Sequence, residues 1–475
     1  MVYLAVCRGR VNKMKDTREQ RLEIYGGVFG VLLPFFFFMA GSIYLALMNS
    51  KDESSFWVFS GGALVLGMLL AKDKTHYAEV IIAGMSQKIM MIMVCAFLFS
   101  SLIGRILYDA GFVQSMVWVC YKLGISGNVF AVVTFVIAAI IGTSTGTAIG
   151  TILTCTPILY PAGYVLGADP AVLLGAIMGG GAFGDNVSPI SDTTIASSMT
   201  QEADIGGVIR NRMKYALPAA ATAACLFFIF GSGEAGSGKG ATMMAEFGNP
   251  KGLPMLIVPI VIVYLCAIRR HLVEALFWGV IVALVTSLSL RLINFSQLFF
   301  LSEEGQGMGT ILEGLRGGLG VTVFALFVMG MVQVALASGI IDQAVEWVSR
   351  TVKKVAMTEL LVVGGVLGIT AMLNHNVPAI LALGEFVKKT GKRFNLDPYR
   401  RANLLDVSAS TLTYNLPHML PVILATAFAS QFGAEVGAPA VSLVSAGLHN
   451  FHSLALFVVI VLAAITGYGR KSQKS

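Results

Sequence analysis

Long apolar runs separated by short polar punctuation dominate the chain. A hydrocarbon core of about 30 Å takes about 20 residues of apolar helix to cross. Runs of this character lie at 26–48, 56–71, 89–107, 129–141, 215–231, 253–268, 272–290, 319–337, 356–373 and 450–468. Two stretches differ, 142–200 and 370–447, where Gly, Pro, Ser, Thr and Asn interrupt the apolar pattern. They are too polar for simple spans and too apolar for loops, so they predict helices broken inside the membrane. The expected fold is an all-α polytopic membrane protein of about 10–13 membrane segments.

Composition narrows the function classes. Hydrophobic residues make up 56% of the 475 positions and charged residues 12%, half the roughly 25% charged share of soluble domains. That leaves too little charge to coat soluble domains, which excludes a soluble enzyme or a disordered chain as the primary reading. The 52 glycines suit closely packed and broken membrane helices. The six cysteines, Cys7, Cys95, Cys120, Cys155, Cys225 and Cys266, show no CxxC spacing and read as small hydrophobes rather than a disulfide or metal framework.

The net charge of +7 carries orientation, not a nucleic-acid partner. Of the 33 basic residues, Arg8, Arg10, Lys13, Lys15, Arg18 and Arg21 precede the first span, and most others form short clusters between spans. No continuous basic stripe with interleaved aromatics exists, so no nucleic acid is expected. Under the positive-inside rule, Arg210, Arg212 and Lys214 mark a cytoplasmic loop and 232–252 lies outside. Arg269 and Arg270 return the chain to the cytoplasm, and 291–305 is outside again. Lys388, Lys389, Lys392, Arg393, Arg400 and Arg401 mark a further cytoplasmic loop, and Arg470, Lys471 and Lys474 place the tail there too. The first apolar run outlasts a signal-peptide core and no small-x-small site follows it, so it reads as an uncleaved span. The protein is expected in the bilayer of a bacterial inner (plasma) membrane with both termini cytoplasmic.

The chain also repeats itself. Gly111-Phe112 recurs as Gly339-Ile340, an offset of 228, and Ile82-Ala83-Gly84-Met85 resembles Leu312-Glu313-Gly314-Leu315 at 230. The break Gly142-Thr143-Ser144-Thr145-Gly146 falls on Thr370-Ala371-Met372-Leu373-Asn374, and Pro189 falls on Pro417. The first copy begins near Lys72 and Lys74, whereas 300–305 has no Lys or Arg; conversely the basic 388–401 loop matches 160–173, which has none. The copies are therefore read as inverted in the membrane, the pattern of a secondary transporter. The expected organisation is a cytoplasmic segment 1–25, spans at 26–71, a first repeat 72–231, connecting loop and spans 232–299, a second repeat 300–468 and a cytoplasmic tail 469–475.

Candidate chemistry sits in the breaks. In Gly184-Asp185-Asn186-Val187-Ser188-Pro189-Ile190-Ser191-Asp192-Thr193-Thr194, two carboxylates lie among hydroxyls and an amide. A carboxylate at mid-membrane costs about 2.5–3.5 kcal/mol, which a bound cation or a proton would offset. Pro189 frees backbone carbonyls, and hard cations take oxygen ligands. The alternative for Asp192 is a helix cap. Thr143 and Ser144, in the small-residue tip before Gly146 and Thr147, are further candidate cation ligands. The second copy offers Asn374, His375 and Asn376 at one break and Thr413, Tyr414, Asn415 and His418 at the other. Asp406 is a candidate for cation or proton binding, or alternatively a cap at the cytoplasmic face. His375 and His418 could titrate near neutral pH. His449 and His452 read as interfacial, and Arg105 as snorkelling from a span end.

On these residues the chain resembles the NhaC-type sodium/proton antiporter family of the ion transporter superfamily. The string Asp185…Ser188-Pro189-Ile190-Ser191-Asp192-Thr193-Thr194 is similar to that family's signature, and Gly142-Thr143-Ser144 with Gly146-Thr147 fits upstream. The resemblance extends over most of 60–468. It implies inverted repeats with two re-entrant hairpins, a scaffold domain that forms a homodimer, and an elevator-like transport domain. It also implies sodium as the coupling ion and no cofactor, with Na⁺ at Asp185, Ser188 and Asp192, supported by Asn186, Ser191 and Thr193. The second copy departs from the family's Gly-Asn-like tip and Ser-Pro pair, having Asn374-His375-Asn376 and Leu416-Pro417-His418 instead.

Two functions remain open at this point. One is Na⁺/H⁺ antiport by alternating access. The other is a Na⁺-coupled carrier of an amino acid or small carboxylate, with Asn374, His375, Asn376, Thr413, Tyr414, Asn415 and His418 around the organic solute. A channel is disfavoured because nothing repeats as a filter ring, and an enzyme because no nucleophile–base or metal-ligand pair is present.

Overall fold

The computed structural model describes residues 21–48, 54–125, 127–189, 191–233, 249–268, 270–340 and 354–470. The basic segment up to residue 20, the tail beyond residue 470, Ile190 and Arg269 lie outside the described residues. The protein is an all-α membrane protein, with a two-stranded hairpin at Phe300–Leu301 and Gly307–Met308 as its sole paired strands among the described residues.

The first helices are α1 (Gly27–Leu47), α2 (Ser55–Leu70), α3 (Lys74–Met85), α4 (Lys88–Asp109) and α5 (Phe112–Lys122). The first broken region comprises α6 (Gly127–Thr145), α7 (Ala148–Val165), α8 (Pro170–Val187) and α9 (Asp192–Thr200), followed by α10 (Ile205–Phe230). A 3₁₀ turn (Pro250–Leu256) leads into α11 (Ile257–Ala267), then α12 (Leu272–Ser289), α13 (Thr310–Gly317) and α14 (Leu319–Ser338). The second broken region has α15 (Val355–Leu373), α16 (Asn376–Arg393), α17 (Pro398–Ala409) and α18 (Leu420–Ala434), before α19 (Leu443–Leu448) and α20 (Phe451–Thr466). Among the described residues, 8 helical segments are long and apolar enough to cross a bilayer, and Ser55–Leu70, Pro250–Ile262, Leu420–Ala434 and Phe451–Thr466 are shorter apolar helices. All ten apolar runs picked out in the sequence fall on helix.

The repeat is in register over the broken regions. Helices α6, α7, α8 and α9 start at 127, 148, 170 and 192, and α15, α16, α17 and α18 start at 355, 376, 398 and 420, each shifted by 228. Local chemistry fixes this register. Asp169 accepts from the amides of Ala171 and Val172 ahead of Pro170, and Asp397 accepts from Tyr399 ahead of Pro398. An Asp cap followed by Pro in the first turn is a strong helix start. The residue that turns the chain two positions before each cap is left-handed in both copies, Gly167 (φ +79°) and Asn395 (φ +54°).

Packing exchanges partners between the copies. Helix α3 packs on α14 and α4 on α13; α7 packs on α18 and α16 on α9; α8 packs on α20 and α17 on α10. Each contact has its counterpart with the copies swapped, as an approximate two-fold relation requires. The sequence match of Gly84 with Gly314 has the same cause. A Cβ on Gly84 would lie 2.6 Å from the Met329 carbonyl, and one on Gly314 2.8 Å from the Leu102 backbone. Each glycine lets the backbone of the opposite copy approach.

Several charges sit elsewhere than expected. Arg212 is not in a cytoplasmic loop: Asp204 caps α10 through the Gly207 amide (2.7 Å), so the helix starts at Ile205 and Arg212 is buried inside it. Arg400 is buried too, paired with Glu359 (2.9 Å), which also pairs with Arg470 (2.8 Å). Arg105 does not snorkel but meets Asp109 (3.1 Å), Glu313 (3.2 Å) and Glu435 (2.6 Å). His452 is not interfacial: it is fully buried, with its ring 5.8 Å from Phe135 and 5.5 Å from Phe183.

Candidate ion-binding site

The two breaks and the two hairpin tips meet at one cavity. Helix α8 stops at Val187, the Ser188 hydroxyl donates to the Thr143 carbonyl (2.8 Å), and α9 begins at Asp192. Asp185, one turn before the break, is buried. One of its oxygens accepts from the Ser191 hydroxyl (2.7 Å) and the other from the Tyr414 hydroxyl (3.3 Å). Ser191 and Thr193 hydroxyls lie 2.9 Å apart. Tyr414 comes from the 3₁₀ turn Leu412–Tyr414 that fills the second break, so one carboxylate is gripped by both copies.

The cavity has a volume of about 380 Å³ and is lined by Asp185, Asp192, Thr193, Thr145–Gly150, Asn374–Val377, Thr413 and Tyr414, among others. A second opening of about 720 Å³ continues from Asp192 and His375 past Met329 to Gln87, Lys88 and Gly339. The amino ends of α7, α9, α16 and α18 all reach this space. Two carboxylates among hydroxyl and carbonyl oxygens suit a small hard cation. Among the described residues no group of three or more His, Cys, Asp or Glu is placed to hold a metal ion.

Not every expected ligand reaches the cavity. The Thr143 and Ser144 hydroxyls donate to the Ala139 (2.8 Å) and Ile140 (2.9 Å) carbonyls of their own helix. Such back-bonding is the usual fate of a helical hydroxyl in an apolar setting; Thr145, which also donates to the Gly142 carbonyl (3.4 Å), and Thr147 line the cavity. Ser188 and Asn186 are fully buried behind the wall. Asp406 faces Arg212 rather than a cation: their charged groups are 2.5 Å apart and both side chains are fully buried. The Ser197 hydroxyl also donates to Asp406 (3.2 Å).

In the second copy, His375, Asn376, Thr413 and Tyr414 line the cavity as expected. Asn415 does not: its amide donates to the Gly447 (2.7 Å) and Asn450 (3.3 Å) carbonyls. The His418 ring bonds the Ala371 carbonyl (3.0 Å), so it fastens the hairpin to the break and does not line the cavity. Asn374 reaches the cavity, but its amide is already used. It donates to the His418 carbonyl (2.7 Å) and accepts from the Leu420 amide (2.7 Å), capping α18 across the tip. Its left-handed backbone (φ +56°) matches Gly146 (φ +68°) at the equivalent position. Replacing Asn374 by Gly is therefore expected to lose the cap alone, and by Ala to lose the cap and add left-handed strain of about 1–2 kcal/mol. Thermal unfolding in detergent should rank wild type above Asn374→Gly, and Asn374→Gly above Asn374→Ala.

The residue sequence reasoning missed is Arg212. It donates through Nε to Asn403 (2.8 Å), through Nη1 to the Thr194 hydroxyl (2.9 Å) and the Asn186 carbonyl, and pairs with Asp406. The signal was available: Asp204 three positions before a glycine, ahead of an apolar-periodic run, marks a helix start that places Arg212 in the second turn.

Fold and site together define a polytopic α-helical membrane protein whose paired helix breaks border a cavity that carries Asp185 and Asp192. Residues 27–232 match the model of the Na⁺/H⁺ antiporter family, so over that region the family resemblance carried by the 184–194 motif is shown. The chain is 25% identical over 314 residues to the malate-2H⁺/Na⁺-lactate antiporter of Bacillus subtilis, covering 64% of each chain. It is 24% identical over 310 residues to the Na⁺/H⁺ antiporter NhaC of Alkalihalophilus pseudofirmus, covering 62% of this chain and 66% of that one. An uncharacterized Na⁺/H⁺ antiporter of Haemophilus influenzae is 23% identical over 333 residues, 65% of this chain and 70% of that one. The match thus spans just under two thirds of the length of the first two relatives.

Proposed function

We propose that the protein is a Na⁺-coupled secondary antiporter that exchanges Na⁺ for H⁺ in a bacterial inner membrane, with both termini in the cytoplasm, and is not an enzyme. The carrying observation is the pairing of Asp185 and Asp192 across one helix break, on a cavity whose lining also includes hydroxyls, amides and apolar groups together with Arg270, His271 and His375. Na⁺ and protons compete for these carboxylates. Ser191 and Tyr414 orient Asp185 by donating to its two oxygens, and Thr193 supplies a further oxygen beside Asp192. When Na⁺ leaves, protonation removes the charge that would otherwise be stranded away from water.

Alternating access fits the shape of the molecule. In the orientation that the basic clusters favour, the opening past Gln87, Lys88 and Gly339 faces the cytoplasm, and we read the arrangement as inward-facing. At the opposite end, Arg105 on α4 holds Glu435 at the close of α18 (2.6 Å). An elevator-like movement of the broken-helix units against α1–α4 and α11–α14, within a homodimer, is the transport step this arrangement favours.

The second reading, exchange coupled to a small carboxylate, is favoured by one observation. His375 and Asn376 lie at the amino ends of a half-helix on the cavity, where backbone N–H groups attract anions, and the Bacillus relative is named for malate and lactate. A Na⁺ jump on sealed proteoliposomes carrying an internal pH dye, with no organic solute, tests the primary reading. Proton movement against the Na⁺ gradient is expected. A flat pH signal from folded protein, restored by adding malate or lactate, transfers the assignment to the second reading.

A further inference from the structure

We infer that Arg212, from the first repeat, is the resident counter-cation of Asp406 in the second, which withdraws Asp406 from ion binding and leaves one carboxylate-lined Na⁺ site per chain, at Asp185 and Asp192. This rests on the Na⁺-coupled reading above.

The exact register of the repeat carries the first half of the argument. At the offset of 228, Asp185 falls on Thr413 and Asp192 on Leu420. The second copy therefore has no carboxylate at either position. The Thr413 hydroxyl bonds the Ala409 carbonyl (2.5 Å), and the Leu420 amide is capped by Asn374. Within the second copy, the carboxylate nearest to that break in sequence is Asp406 on α17, and it is the one paired with Arg212.

The chemistry of the pair carries the second half. A guanidinium stays charged inside proteins, so Arg212 supplies a permanent positive charge where a mobile cation would otherwise be needed. Its fork donates to Asn403, Thr194 and the Asn186 carbonyl, and its Nη2 lies 2.5 Å from one oxygen of Asp406, whose other oxygen has no hydrogen-bond partner among the described residues. Asn186 follows Asp185 and Thr194 lies two residues past Asp192, but neither partner of Arg212 is among the residues that line the cavity. Arg212 itself does not line the cavity.

Radioactive Na⁺ binding to the purified full-length protein tests this, with Arg212→Gln, Asp406→Asn and the double variant. The double variant removes both charges together. It is expected to bind one Na⁺ per chain, as wild type does, with an affinity within about threefold. Arg212→Gln alone frees Asp406 and is expected to raise the count to two at alkaline pH. Loss of Na⁺ binding in a folded double variant would make Asp406 a ligand and overturn the inference. A count of one in folded Arg212→Gln overturns the counter-cation role as well. Should Arg212→Gln fail to fold, the double variant decides alone. Failure of the underlying reading looks different: wild type would then bind no Na⁺ and Asp185→Asn would change nothing.

Discussion

Asp185→Asn is expected to abolish Na⁺-dependent transport while leaving the protein folded. The side chain is buried, and its oxygens are held by Ser191 (2.7 Å) and Tyr414 (3.3 Å). Asparagine has nearly the same shape and keeps one acceptor, so packing at the break survives. What disappears is the negative charge that attracts the ion. Stripping one partner from a buried ion–carboxylate pair costs about 3–5 kcal/mol, which corresponds to a loss of a hundredfold or more in Na⁺ affinity. Folding should not suffer, since a neutral amide is cheaper to bury than an unoccupied carboxylate. Asp192→Asn is expected to act in the same direction. Transport of Na⁺ into proteoliposomes and thermal unfolding of the same samples separate the two effects. Unchanged Na⁺ dependence in both variants, at wild-type stability, would remove these carboxylates from the site.

The spans and the repeat were legible because they rest on features that recur over many residues. Apolar runs predicted helices wherever they occurred, and the near-constant offset between copies survived in four weak matches. The register could have been read more sharply from Asp169-Pro170 and Asp397-Pro398, two identical helix starts at the same offset. The fate of individual polar side chains was not legible. Thr143 and Thr145 are both hydroxyls on one tip and both bond a carbonyl of their own helix, yet only the second lines the cavity. Nothing in the local string separates them; helix phase and the position of α8 do. Asp406 and Arg212 were misplaced for a related reason. Each was read from its neighbours in sequence, a basic cluster in one case and a hydroxyl-rich break in the other, whereas their meeting depends on the packing of α10 against α17. His375 and His418 looked alike on paper, and only the cavity distinguishes a lining residue from a fastener.

The largest stability effect is expected far from the cavity, at Glu359. This carboxylate is fully buried near the start of α15. It accepts from Arg400 at two atoms (3.0 and 2.9 Å) and from Arg470 (2.8 Å). Arg400 spends its remaining donors on the Tyr215 hydroxyl and the Ala463 (3.0 Å) and Tyr468 (3.1 Å) carbonyls. The cluster therefore ties α15 and α17 to α10 and the end of α20. Glu359→Gln leaves the Arg400 charge buried with nothing to balance it, a loss of about 3–5 kcal/mol. Arg470→Gln should cost much less, because its side chain is 29% exposed and the Arg400–Glu359 pair stays intact. Neutralising both members, as Glu359→Gln with Arg400→Gln, is expected to recover part of the loss, since the two residues share one network and their effects are not additive. Thermal midpoints in detergent should therefore rank wild type, Arg470→Gln, the double variant and then Glu359→Gln. A Glu359→Gln midpoint equal to wild type would mean that water reaches Arg400 and that this end of the bundle is not held by charge. Such a result would also weaken the case for a buried, permanently charged Arg212, because both arginines are argued from the same cost of stranding a guanidinium among helices.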